Sequence, residues 1–563
     1  ATGGARGVHH IESPAMTSLI RQCDCRDIDT LTAVVAIIRP GAANQHKKDR
    51  FARRHQGREP PAYAHPALEP ILRGTYGLMV FEEHILQVAV AFAGMNLGRA
   101  DVLRRALNKQ NQALIAELQT EFQASARGLG RTPAEIAAVW EAIAGFCGFM
   151  FNKAHSAEYA VEAFQGAWLK CRWPAHFLAA VLSNYRGFYA HSPTLPQVLY
   201  VLEARRLGIG FLPPCVNRSR ERFSVEHEPQ RRKNRHHRDT EDTEKIEDPC
   251  EYRGIEESRA RWSRASPGGL PSNAFLRAPR VSVVPPLMQR EGSPSNDDVA
   301  RRLMIRVPVT HIQGLTEQFV TRYLAERASG PFANLADFIE RCRPGEAEAR
   351  NLLDSGALDV WGDSRPGIFW QLRELQRYAC STSDNLFSAG SLSGRRPQAD
   401  NANLCDREAQ NATVAPPIEL TCPSPRQVAQ REMELLGFPV SIDPLTFLGT
   451  DDRAGRIDWS SYVPVSHLSE YAGRQVTVCG LTVTDRVNPT QAGELMKFVT
   501  LADHTGVVEA LLLPDVYRRF GHLTAAHPIL AVTGRVEPFE NRNGLTLRAC
   551  HLAPPHRRSS PQA

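Results

Sequence analysis

Between residues 474 and 552 the apolar side chains alternate one by one, whereas between 81 and about 207 they recur every three to four positions. A strand sends successive side chains to opposite faces and a helix returns to one face about every 3.6 residues, so one core cannot serve both stretches. The chain must therefore hold a helical unit and, separately, a β unit. Its 563 residues agree, since about 150 residues per domain predicts three to five domains.

The helical unit is read from its repeats. Ile85, Val88, Ala89 and Phe92 mark one buried face within 84–107, and 136–146 and 157–169 repeat the spacing. Arg172-Trp173-Pro174 and Leu207-Gly208-Ile209-Gly210 punctuate the connections. Residues 27–38 predict a short buried helix with an acidic first turn, stopped by Arg39-Pro40-Gly41. A further helix is expected at 425–436.

The style breaks at 227–302. Arg231-Arg232-Lys233-Asn234-Arg235-His236-His237-Arg238 is followed by Asp239-Thr240-Glu241-Asp242-Thr243-Glu244 and then by Ser, Pro, Gly and Arg. Such a composition buries too little apolar surface to offset its ordering entropy, which predicts a disordered insertion. Its basic run can bind DNA or serve as a mixed-sign solvated linker. A second linker is expected over 363–424. The expected divisions are thus 1–226, helical; 227–302, inserted; 303–362, helical hairpin; 363–424, linker; 425–473, connecting; 474–553, barrel; and 554–563, tail.

Bulk properties exclude several classes. No run approaches the roughly 20 apolar residues of a membrane span, and residues 1–6 lack both an initiator Met and the apolar core of a secretory signal. A cytoplasmic chain is expected, possessing no leader and beginning partway into a longer design. Twelve Cys without a recurring Cys-x-x-Cys spacing read as reduced thiols, and no metal site is expected, Cys23-Asp24-Cys25 included. A net charge of +6 makes no global case for nucleic acid. Clusters such as Arg50-Phe51-Ala52-Arg53-Arg54-His55, Arg104-Arg105 with Lys109, and Arg518-Arg519 suit phosphates or a solvated helix face equally.

Three constellations carry chemistry. The strands around 476–481, 497–501, 507–512, 529–536 and 545–549, with a helix at 514–520 between the third and fourth, follow the order of an oligonucleotide-binding barrel (OB-fold). Such barrels hold single strands with a basic groove and stacking aromatics, giving Arg486, Lys497, Phe498, Arg535, Phe539 and Arg542 as candidates. Lys497 and Phe498 are adjacent on one strand, so one faces inward, and Phe498 is the expected core residue. Thr310-His311-Ile312-Gln313-Gly314-Leu315-Thr316-Glu317 predicts a helix-hairpin-helix turn whose N–H groups, around Gln313, Gly314 and Thr316, face a DNA phosphate. The usual second Gly is Thr316, so an ordinary helical packing unit remains the competing reading. Finally, Phe151-Asn152-Lys153-Ala154-His155-Ser156 opens a helix where N–H groups, a Lys and a His converge as around a triphosphate.

Ordered blocks then join these signals. Ile11-Glu12-Ser13-Pro14-Ala15-Met16, Ile38-Arg39-Pro40-Gly41, His65-Pro66-Ala67-Leu68-Glu69-Pro70, Phe81-Glu82-Glu83, Leu97-Gly98-Arg99-Ala100-Asp101 and Gly148-Phe149-Met150-Phe151-Asn152-Lys153-Ala154-His155-Ser156 resemble, in sequence order, the fingers of the bacterial DNA polymerase III alpha subunit, a C-family DNA polymerase. Leu212-Pro213-Pro214-Cys215-Val216-Asn217 continues the match, and with Glu203-Ala204-Arg205-Arg206-Leu207-Gly208 it is similar to the error-prone, damage-tolerant branch. The resemblance spans 8–226 and 303–552.

That resemblance implies a mainly α multidomain fold ending in the small barrel, and template-directed addition of deoxynucleoside triphosphates to a template-primer. It implies Mg²⁺ held by palm aspartates, which precede the fingers in the family and are expected to be missing here, leaving the chain inactive alone. Asp27-Ile28-Asp29 is no substitute, because Asp27 reads as a helix N-cap. Arg39, Arg104, Arg105, Lys109, Lys153 and His155 match cationic positions facing the triphosphate and template. A sliding clamp is an expected partner through Leu386-Phe387, within Ser383-Asp384-Asn385-Leu386-Phe387, where Ser stands at the family's Gln position; accessory mutagenesis proteins are expected too. The competing reading is a non-catalytic DNA-binding or partner-binding protein derived from a truncated polymerase gene.

Overall fold

Many helices in this chain start where a short polar side chain can take up an orphan N–H group, and the computed structural model shows such a bond at several of them. Ser13 caps α1 (Pro14–Gln22), Asp27 caps α2 (Ile28–Ile37), and after α3 (Ala42–His55), α4 (Glu69–Leu72) and α5 (Glu82–Ala93), Asn96 caps α6 (Leu97–Asn108). Asn111 caps α7 (Gln112–Gly128), Thr132 and Glu135 form a capping box on α8 (Pro133–Ala144), and Asn152 caps α9 (Lys153–Arg172). Pro174 opens α10 (Pro174–Asn184), which is followed by α11 (Val198–Arg206). The structure describes residues 4–38, 42–145, 152–184, 197–228, 302–362, 364–375, 422–451, 455–490, 492–538 and 544–558. Most of the expected insertion and the second linker lie outside them.

The predicted apolar face of α5 is real: Ile85, Val88, Ala89 and Phe92 are fully buried against α6, α7 and α8. A second core packs α1, α2 and α3 against Ala160 and Ala163 of α9, small residues that let helix axes approach. The largest core joins α10 and α11 to the hairpin helices and to one end of the barrel through Cys479, Leu481, Ala502 and Ile529.

Two small sheets escaped the sequence reading. β1 (Gly210–Leu212) and β2 (Ser224–His227) flank β3 (Leu303–Arg306), β1 in parallel and β2 antiparallel. His227 pairs with Leu303, so the chain leaves this sheet at 228 and re-enters it at 302 on neighbouring strands. β2 and β3, consecutive among the described strands, are thus antiparallel neighbours. In the second sheet β5 (Gly455–Ile457) lies between β4 (Thr450–Asp451) and β11 (Arg557–Arg558).

The β unit closes as a five-stranded barrel of β6 (Gln475–Pro489), β7 (Leu495–Ala502), β8 (Val507–Leu512), β9 (Ile529–Pro538) and β10 (Leu545–Ala553). β6 pairs with β7 and β9, β7 with β8, and β10 with β9 antiparallel and β8 parallel. The helix Pro514–Phe520 lies between the third and fourth strands, which is the oligonucleotide-binding order. Among the described residues no helix is long and apolar enough to cross a membrane.

Candidate nucleotide and nucleic-acid interface

The start of α5 brings together two of the cationic candidates of the helical unit, Arg104 and Lys153. Glu82 accepts from Arg104 Nη1 at 2.8 Å, while Asp101, one turn away on α6, holds the same guanidinium at 2.9 Å. The adjacent Glu83 accepts the Lys153 N–H on both oxygens, at 3.0 and 2.9 Å. Two consecutive carboxylates thus tie α6 and the N-terminus of α9 to one helix end. Lys153 Nζ lies 5.8 Å from the Phe81 ring centroid, and among the described residues it makes no ion pair. His155, in the first turn of α9, packs against Tyr159 with ring centroids 4.0 Å apart and planes tilted by 55°.

Electrostatics here are set by neighbours. Hydrogen bonds from Arg104, with the charge of Arg105 behind them, hold Asp101 below the ordinary carboxylate range. Burial, with Lys153 adding to it, pushes His84 down to about 4. The neutral ring then accepts the Val80 N–H at 3.1 Å on Nδ1, which shapes the Phe81-Glu82-Glu83 turn. Glu83 occupies the anion position at the start of α9, where helix N–H groups favour negative charge. Arg105 pairs with Asp101 at 2.7 Å and Lys109 sits exposed at the end of α6. Arg39 lies outside the described residues.

The hairpin has the expected backbone: Gly314 adopts φ +80°, and Thr316 caps the helix Glu317–Ala328. Two of its three candidate donors are already engaged. Glu348, from the helix Glu346–Asp354, accepts the Thr316 N–H at 3.1 Å and its hydroxyl at 2.6 Å, and also the Gly345 N–H at 2.8 Å. The Gln313 N–H donates to the Leu435 carbonyl, and the Gln313 carbonyl accepts from Asn351. Nothing in the local spacing marks Glu348, 32 residues from its partner.

On the barrel the expectation for β7 is corrected. Lys497, not Phe498, shares the inward alternation with Val499 and Leu501. Its stem is buried at the barrel end while Nζ reaches Thr524 Oγ1 at 2.6 Å and Asp485 at 2.6 Å, so a Lys is tolerated inside by snorkelling to polar partners. Phe498 lies on the outer face beneath Arg486, whose guanidinium is 4.8 Å from its centroid and 2.9 Å from Glu509. Leu495 and Val487 on the same two strands are exposed. Arg535 is exposed and donates to the Gly473 carbonyl. Phe539, Arg542, Leu386 and Phe387 lie outside the described residues.

Asp27 is spent as a cap, accepting the Thr30 N–H at 2.7 Å and its hydroxyl at 2.8 Å. Among the described residues the one cluster of three or more metal-capable side chains is His9, His10 and Glu162. Two imidazoles and one carboxylate are the wrong donors for Mg²⁺, which takes oxygen.

A family model described as the bacterial DNA polymerase III alpha subunit finger domain matches residues 1–130, and a helix-hairpin-helix motif model matches 281–367. The chain is similar to an error-prone DNA polymerase of Symbiobacterium thermophilum, 30% identical over 98% of this chain and 45% of that protein. It is 27% identical to a DNA polymerase III subunit alpha of Caulobacter vibrioides over 92% of this chain and 37% of that one. A DNA polymerase III subunit alpha of Helicobacter pylori is 36% identical over 225 residues, 40% of this chain and 18% of that protein. The chain thus spans less than half the length of these relatives.

Proposed function

Because the chain belongs to the bacterial DNA polymerase III alpha-subunit family, we propose that it binds the incoming deoxynucleoside triphosphate and holds the template-primer for a DNA-directed DNA polymerase of the error-prone, damage-tolerant kind. The observation that carries this reading is the fastening of Arg104 and the Lys153 end of α9 to the adjacent Glu82 and Glu83. Phosphoryl transfer asks side chains chiefly for positioning and charge neutralisation; this arrangement presets the positioning, and the Lys153 ammonium beside Phe81 supplies the charge. Lys153 and His155, with Arg39, Arg104, Arg105 and Lys109, form the triphosphate side. Gln313, Gly314 and Thr316 with Arg486, Phe498, Arg535, Phe539 and Arg542 form the DNA side; Lys497 is left out because Asp485 and Thr524 hold its ammonium. The error-prone assignment is supported by the error-prone relative that is 30% identical over 98% of this chain.

In this reading Mg²⁺ is held by carboxylates outside these 563 residues, residues 1–226, 303–362 and 474–553 act as fingers, hairpin and barrel, and Leu386-Phe387 reaches a sliding clamp, with accessory mutagenesis proteins as further partners in the cytoplasm. The test is primer extension with Mg²⁺ by the 563-residue chain alone and by the same chain joined to a family palm. Extension only by the joined protein is expected. Extension by the chain alone overturns the division of labour, and a joined protein that folds and binds primer-template without extending it favours a non-catalytic DNA-binding role.

A further inference from the structure

We propose that His9, His10 and Glu162 form a binding site for a borderline divalent cation such as Zn²⁺, clamping the segment before α1 onto α9. His9 Nδ1 lies 3.3 Å from Glu162 Oε1, and His10 Nε2 lies 3.0 Å from Oε2. The three donor atoms all fall within 4.8 Å of one another. A tetrahedral ion with ligands at about 2.1 Å separates neighbouring ligand atoms by about 3.4 Å, and each imidazole already lies near that distance from one of the two Glu162 oxygens. Rotation of the side chains brings the three ligand atoms, already within 4.8 Å of one another, to that spacing.

An independent observation is the backbone that assembles it. Adjacent residues of an extended chain project to opposite sides, yet the His9 and His10 rings are 3.9 Å apart. His10 achieves this in the left-handed region, φ +64°, one of five non-glycine residues with positive φ among the described residues. Non-glycine residues adopt it at a cost, and such strain clusters at ligand clamps. The His10 ring then stacks on Tyr159 with centroids 3.5 Å apart, which restricts its rotation. Imidazole with carboxylate selects Zn²⁺, Cu²⁺ or Ni²⁺ over Mg²⁺ and Ca²⁺. Side-chain exposures of 60% for His9 and 54% for Glu162 leave the remaining coordination position to water.

Tyr159 also packs, tilted by 55°, against His155 with ring centroids 4.0 Å apart, so this site adjoins the proposed triphosphate side. The proposal itself does not depend on that role.

The experiment uses the tag-free 563-residue chain, stripped of metal and titrated with Zn²⁺ against a chromophoric chelator, with excess Mg²⁺ present. One Zn²⁺ per chain is expected, with Glu162→Gln, His9→Asn and His10→Asn each weakening binding by more than the roughly 10–100-fold lost when an outer partner is removed. Co²⁺ in place of Zn²⁺ should show ligand-field bands without thiolate charge transfer. The exposed Glu162 keeps the test valid if a histidine variant misfolds: the metal-free unfolding midpoint of Glu162→Gln should equal that of the parent. No binding by the parent, equal binding by Glu162→Gln, or a thiolate band overturns the site.

Discussion

Glu348 Oε1 accepts the Thr316 hydroxyl at 2.6 Å and its N–H at 3.1 Å, so a carboxylate of the chain itself stands where a helix-hairpin-helix turn meets a phosphate. Glu348→Ala removes both bonds and the repulsion toward an anion. It should destabilise the protein by about 1–3 kcal/mol and raise its affinity for duplex DNA, with a steeper dependence on salt. Urea unfolding and DNA binding across a salt series measure these; unchanged DNA affinity would show that the turn meets no phosphate.

His84 makes a pH prediction. Its folded value of about 4 lies below the ordinary 6.5, so between these values the unfolded chain binds the extra proton. Stability is then full above about 6.5 and is lost as pH falls toward 4, by about 3 kcal/mol in all. Urea midpoints at stepped pH should show this loss, and His84→Gln should flatten it.

Glu203 defines a separate, more acid window. It is fully buried and accepts from Lys170 at 2.7 Å, Arg6 at 2.8 Å and Arg206 at 2.8 Å. Burial opposes its charge, but the Arg206 hydrogen bonds and the charges of Arg6 and Lys170 outweigh that and hold it at about 2, below the ordinary 4.5. Its contribution is present above about 4.5 and disappears toward 2. Glu203→Gln leaves Lys170 buried without its counter-charge and should cost about 3–5 kcal/mol at neutral pH, read from the urea midpoint.

The outer face of β6 and β7 should bind single strands through Arg486 and Phe498. Phe498→Ala should weaken binding to an oligothymidylate by about 1–3 kcal/mol, the usual worth of one stacked base. Arg486→Ala should reduce the slope of log affinity against log salt by about one. Fluorescence anisotropy at several salt concentrations measures both, and unaltered binding in the pair of variants would move the strand to another face.

Local chemistry was legible and distant pairing was not. Asp27 as a cap, the helix Pro425–Leu436 and the five barrel strands follow from caps, prolines and periods of two or 3.6. Lys497 and Phe498 were misassigned because alternation says only that they face opposite ways; the polar partners Asp485 and Thr524 that draw a lysine inward are set by closure of the barrel. Glu348 against Thr316 and Glu203 against Lys170 join helices far apart in sequence. No local pattern encodes them. The His9–His10 kink was hidden for a different reason, since nothing in two consecutive histidines reveals a left-handed backbone.

The most direct test of the proposed nucleotide grip is the steady-state kinetics of Lys153→Ala in a complete polymerase containing these residues. Lys153 Nζ is free of carboxylates among the described residues, so the change removes charge at the mouth of α9 without breaking an ion pair. Loss of one charge-assisted phosphate contact predicts a fall of roughly 10–100-fold in kcat/KM for the incoming nucleotide, with primer-template affinity unchanged. An unaltered kcat/KM would contradict the assignment of this helix end to the triphosphate.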